Sequence, residues 1–167
     1  MAKALLKHGE FELHKMEEKH VIPFCNNLSP QNIREFQVLY EEDPLSSLYD
    51  VLNDDLAHVI TVEGRPVAAL GAYEGVIWVM FSRDIKKYWR SFVRMSPKVI
   101  RFYHQFYEQL DAIVWDENTF IHNWLVHLGF EPQFIEEDNR GMRTVHFVRC
   151  NYWYDDIDSG SSRPVMH

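Results

Sequence analysis

Residues 58 to 81 read HVITVEGRPVAALGAYEGVIWVMF. Three short apolar, β-rich runs are separated by two Glu-Gly pairs, Glu63-Gly64 and Glu74-Gly75. Glycine after a polar residue suits a tight reversal, so the stretch predicts a three-stranded antiparallel meander. The third run, Val76 to Phe81, is apolar at every position. Such a strand belongs in the middle of a sheet with both faces covered.

Helical patterns lie on either side. Upstream, Phe11 to Met16 reads as a first strand with Phe11 and Leu13 on one face. Ser29-Pro30 and Asp43-Pro44 each place a capping side chain before a proline at the first helical position. The stripes that follow are Ile33, Phe36, Tyr40 and Leu45, Leu48, Leu52. Downstream, Asp84 to Met95 carries Ile85, Trp89 and Phe92 on one side. Ser96-Pro97 then predicts a fresh helix with Val99, Tyr103, Phe106 and Leu110 as its stripe. Ala112 to Trp115 reads as a strand. Asn118 caps a helix whose inner face is Ile121, Trp124, Leu125 and Leu128, and Gly129 ends it. Two last strands, around Gln133–Glu136 and Arg143–Val148, flank the turn Asp138-Asn139-Arg140-Gly141. A strand, a helix and a strand between Phe81 and Trp115 imply a parallel pair joined by a right-handed crossover. The fold class is therefore α/β, with a mixed, mostly antiparallel central sheet and helices on both faces. Residues 1–154 are expected to form one domain, and the acidic, Ser-rich stretch 155–167 a loosely held tail.

Composition narrows the function. The 167 residues carry a formal charge of −8, with 46% hydrophobic and 14% aromatic residues. That is rich enough for a packed core and poorly suited to general nucleic-acid binding, which needs a basic face. Cys25 and Cys150 form no CxxC pair, and no apolar run is long enough to span a bilayer. The N-terminal apolar run is too short for a signal peptide, so a cytoplasmic protein with free thiols is expected. Nine histidines include no HExxH and no Cys/His cluster, so no metal is expected.

The order of elements resembles the GNAT (acyl-CoA N-acetyltransferase) family. The nearest local match is residues 118 to 130, NTFIHNWLVHLGF, an Asn, a short helix and then Gly-Phe. The resemblance implies that acyl-CoA enters a wedge beside the central strand, pairing with backbone groups of Met80 and Phe81, with Asn118 helping to hold it. It also implies a general base near the central strand, for which Glu74 is the candidate. Two departures stand against activity. The family rests the pyrophosphate on a Gly-rich turn opening the next helix, yet residues 82 to 95, SRDIKKYWRSFVRM, contain no glycine. Where many members place a proton-donating Tyr, four residues before the Gly, this chain has Leu125.

The block from Trp78 to Phe130 is also similar to the internal virion protein family of short-tailed phages, GNAT-like proteins implicated in particle assembly. That resemblance implies a non-enzymatic protein in the host cytoplasm or the virion, with no cofactor, acting by contact with other virion or host proteins. The alternative is an active N-acetyltransferase using acetyl-CoA on an amine of a protein or small molecule. The cations Arg83, Lys86, Lys87, Arg90 and Arg94 are a candidate patch for an anion or an acidic partner, or simply a solvated helix face.

Overall fold

The computed structural model describes residues 3–151. The elements run β1 (Leu6–His8), β2 (Phe11–Lys15), α1 (Glu18–Asn26), α2 (Pro30–Glu35), a π-helical turn (Phe36–Tyr40), α3 (Pro44–Val51), β3 (Ala57–Val62), β4 (Arg65–Tyr73), β5 (Val76–Phe81), α4 (Ile85–His104), β6 (Gln109–Trp115), α5 (Thr119–His127), β7 (Glu131–Glu137) and β8 (Arg143–Cys150). All eight strands join one sheet in the order β1-β2-β3-β4-β5-β6-β8-β7. Every pairing is antiparallel except β5 with β6.

The meander forms as the sequence predicts. Glu63 and Glu74 hold φ of 52° and 50°, and Gly64 and Gly75 follow at 79° and 82°. Two successive residues with positive φ make a tight turn whose twist matches the flanking strands. Neither glutamate is turned toward a site by this geometry; both are exposed.

β5 lies between two apolar clusters. On one face Ile77 and Phe81 pack with Phe92, Val99, Trp124 and Leu128 of α4 and α5. On the other Met80 packs with Val21, Phe24, Phe36 and Leu48 of α1 to α3. Trp124 faces inward with Ile121 and Leu128, as their spacing predicts.

Two elements escape the sequence reading, and two readings need correction. α1 carries no Ser, Thr, Asp or Asn cap and contains Pro23, so nothing in its pattern announces a helix; Glu17 and His20 cap its first turn reciprocally. β1 pairs with β2 over three residues, too few for a readable alternation. The proline at 97 does not start a new helix: α4 runs unbroken through it for 20 residues. Ser96 Oγ donates to the Phe92 carbonyl at 2.7 Å, so its side chain turns inward rather than capping. Helix α4 ends at His104, so Leu110 belongs to the buried face of β6 and Phe106 is exposed. The predicted tail 155–167 lies outside the described residues.

Candidate active site

The parallel strands β5 and β6 touch at a single register pair, Val76 with Asp111, and the Asp111 amide donates to the Gly75 carbonyl at 2.8 Å. Beyond it the strands part. Each stays with its other partner: β5 stays on β4 along its whole length, and β6 stays on β8. The result is a wedge that opens toward Phe81.

The ladder decides which backbone groups face the wedge. Ser82 N–H donates to the Val67 carbonyl, which fixes the hydrogen-bonded alternation between β4 and β5. Met80 consequently pairs with Ala69 of β4, and the backbone groups of Ile77, Val79 and Phe81 turn the other way. Phe81 is already engaged: its N–H donates to Asn32 Oδ1 at 2.9 Å, and its carbonyl accepts from Ser29 N–H at 2.9 Å. Beyond the Val76–Asp111 pair the backbone groups of Val79 face the wedge, whereas Met80, expected with Phe81 to meet a pantetheine arm, faces β4.

Asn118 and Glu35 meet across the wedge mouth. Asn118 Oδ1 accepts from Ile121 N–H at 3.2 Å, capping α5, and its Nδ2 donates to Glu35. Gln31 Nε2 donates to the same carboxylate at 3.4 Å. Glu35 is only 8% exposed. Burial raises its pKa above the ordinary carboxylate value, and the two amide donors offset this in part. The π-turn that follows Glu35 closes on Glu41 at φ 54° and is held by Arg140, whose guanidinium donates to the Val38 and Leu39 carbonyls at 3.2 and 2.8 Å. Arg140 comes from the β7–β8 turn, about 100 residues on in sequence, so no local pattern reveals it.

Three cavities converge here. One of ≈ 290 Å³ lies under the π-turn, and one of ≈ 80 Å³ lies in the wedge itself; both are lined by Glu35, Tyr40, Trp78 and Val79. A third, of ≈ 390 Å³, lies outside them, bounded by Ser29, Asn32, Phe81, Lys86 and Asn118. Glu74 lines none of them. It sits in the hairpin turn at the closed end of the wedge, five residues from Val79. Leu125 is buried, 1% exposed, and offers no proton.

At the start of α4, where the glycine turn is missing, the amides are largely taken. Arg83 N–H donates to the Asn27 carbonyl at 2.8 Å, Asp84 N–H to Ser82 Oγ at 3.2 Å, and Ile85 N–H to the Ser82 carbonyl at 3.2 Å. Asp84 also brings a carboxylate there, held by Asn27 Nδ2 at 2.9 Å. Arg83, Lys86, Lys87, Arg90 and Arg94 are all exposed, on the face opposite Ile85 and Phe92.

No protein-family model and no curated protein sequence matches this chain. Solved structures do. A putative acetyltransferase aligns at TM-score 0.67 with 14% identity, over 92% of this chain and 90% of its own. The fold is that of the GNAT acetyltransferases. A GNAT-family acetyltransferase from Bacillus anthracis aligns at 0.65 with 14% identity, over 86% of this chain and 96% of its own. The microcin C7 self-immunity acetyltransferase MccE, solved with acetyl-CoA and AMP, aligns at 0.65 with 10% identity, over 85% and 93%. These likenesses carry the GNAT fold and leave the resemblance to internal virion proteins where the sequence put it. Among the described residues no group of His, Cys, Asp and Glu is placed to hold a metal, and no helix is long and apolar enough to cross a membrane.

Proposed function

We propose that this chain is an acyl-CoA-dependent N-acyltransferase acting on a primary amine, with Glu35 as the proton acceptor. The observation that carries this is a buried carboxylate beside a wedge into which the backbone groups of Val79 face. The thioester would lie in the wedge, its carbonyl oxygen toward the Val79 amide. An amine entering beside Glu35 arrives as ammonium. The carboxylate, made more basic by burial, takes one proton, and the free nitrogen lone pair attacks the thioester carbon. The C–N bond forms, the carbon–sulfur bond breaks, and the sulfur leaves with the electron pair. Leu125 offers it no acid, so the sulfur departs as thiolate; the nitrogen gives up its second proton to water, a proton from water reaches the thiolate, and Glu35 returns its own proton to solvent. Amine plus thioester become amide plus thiol.

The test is release of free thiol from acetyl-CoA in the presence of amines, with the amide identified by mass. Glu35→Gln keeps the hydrogen bond to Asn118 and should lower kcat by about 10²–10⁴, the usual worth of a general base, with KM for acetyl-CoA little changed. No thiol release across a panel of amines would sink the reading.

A second reading is favoured by a specific observation, the filled start of α4. Where the family rests a pyrophosphate, this chain supplies its own Asn27 carbonyl, Ser82 hydroxyl and Asp84 carboxylate. Under this reading the chain binds no cofactor and acts by contact, with Lys86, Lys87, Arg90 and Arg94 meeting an acidic virion or host protein. Such a contact would weaken with salt, as the Debye length falls from about 10 Å at 0.1 M to about 3 Å at 1 M.

A further inference from the structure

The ≈ 290 Å³ cavity under the π-turn has a defined chemistry. Glu35 forms part of its buried floor, and Glu42 reaches it from an exposed position. Among the described residues no lysine, arginine or histidine lines it. Leu48, Val51 and Met80 are its apolar wall, and Tyr40 and Trp78 bring aromatic rings. Two carboxylates and two rings complement a cation. Away from the two carboxylates the apolar wall rejects a further charge, because an ammonium laid against Leu48 and Val51 would lose its water without a partner. Size narrows the choice further. A cavity of about 150 Å³ holds benzene. This one therefore has room for a ring and a short arm, and a bare lysine stem would leave much of it unfilled.

We propose that the cavity takes a primary amine with one positive charge and a compact apolar body, its nitrogen at Glu35 and its body against Leu48, Val51 and Met80. This names the acceptor of the acyl transfer and rests on that reading for its chemistry. The nitrogen lies where both inner cavities share Glu35 and Val79, so it faces the wedge.

The amine site is tested on the full chain without any thioester, by calorimetric titration with 2-phenylethylamine, spermidine and Nα-acetyl-lysine amide. The first should bind at least about tenfold more tightly than the other two. Glu35→Gln should weaken 2-phenylethylamine by about tenfold or more, and leave the uncharged 2-phenylethanol within about threefold. Val51→Trp, which fills the cavity, should weaken both ligands. Spermidine or the lysine amide binding as tightly as 2-phenylethylamine would overturn the proposal. So would a Glu35→Gln protein that melts like wild type and binds the amine unchanged. Acetyl-CoA is then added. Amine binding without transfer would sink the acyltransferase reading and leave the amine site standing. Transfer to spermidine in preference would do the reverse.

Discussion

His58 shows how one buried side chain ties stability to pH. It is 2% exposed, its Nδ1 lies 2.9 Å from the Tyr103 hydroxyl, and it packs edge-on to Phe102. Burial, with a smaller contribution from Lys15, pushes its pKa down to about 4 from an ordinary 6.5. The folded protein therefore keeps it neutral where the unfolded chain would protonate it. Its contribution is fully present above pH 6.5 and is lost as pH falls toward 4. The loss over that interval is about 3 kcal/mol, from about 1.4 kcal/mol per pKa unit. His58→Gln retains a partner for Tyr103 and does not titrate. Urea midpoints at pH 7 and pH 4.5 should converge more closely in the variant than in wild type. Equal acid sensitivity in both would mean that His58 is not the group responsible. Glu35 is the opposite case in sign, a carboxyl favoured in its neutral form by burial. It could be read as unusual from sequence, because it falls with Asn32 beside the apolar stripe of Ile33 and Phe36. Glu74 drew attention instead through its closeness in sequence to the central strand, and the fold holds it in the hairpin turn at the closed end of the wedge.

At the scale of elements, α4 and α5 are joined by one polar clasp inside an apolar layer. Trp124 Nε1 donates to Ser96 Oγ at 2.9 Å, and Ser96 Oγ donates on to the Phe92 carbonyl. The Trp124 ring packs on Phe92 at 5.6 Å and on Phe81 at 6.3 Å between centroids. Trp124→Ala should cost about 3–5 kcal/mol, from lost transfer energy and a cavity. Ser96→Ala removes only an oxygen, yet leaves a buried indole N–H without its acceptor, worth about 1–3 kcal/mol. The two changes delete the same hydrogen bond, so Ser96→Ala with Trp124→Phe should cost less than the sum of the singles. A double-mutant cycle by urea denaturation measures the difference, and strict additivity would show that the clasp contributes nothing. The Ser96-Pro97 pair also explains a misreading. Serine before proline is a helix start in most contexts, and only the partner helix reveals that this serine is occupied elsewhere.

For the whole molecule, the acyltransferase reading has a consequence for the donor. Under that reading the thioester and the pantetheine arm would lie in the wedge at Val79, while the start of α4 is occupied by the chain's own polar groups. Truncating the donor should therefore matter little. S-acetylpantetheine, which lacks the nucleotide, is expected to support thiol release with kcat/KM within about tenfold of acetyl-CoA, a difference of about 1.4 kcal/mol. A much larger loss would mean that Asp84 and Asn27 move aside for the phosphates. Failure of both donors, with the protein folded, would favour the contact reading.

The sequence by itself determined what depends on neighbours in the chain. The Glu-Gly turns, the meander, the capped starts at Ser29 and Asp43, and the inward face of α5 all rest on local backbone preference and on the period of apolar residues. Together with the helix between Phe81 and Trp115, they were enough for a mixed sheet covered on both faces. The missing glycines after Phe81 and the leucine at 125 were equally plain. The tertiary structure alone decided what depends on residues far apart. Glu35 and Asn118, separated by 83 positions, become one cluster, and Arg140 braces a turn 101 positions upstream. The wedge itself is a matter of strand pairing: β5 and β6 each keep a full ladder on their other side and share one register pair with each other. No window of sequence contains that arrangement, because its terms are pairings between distant strands.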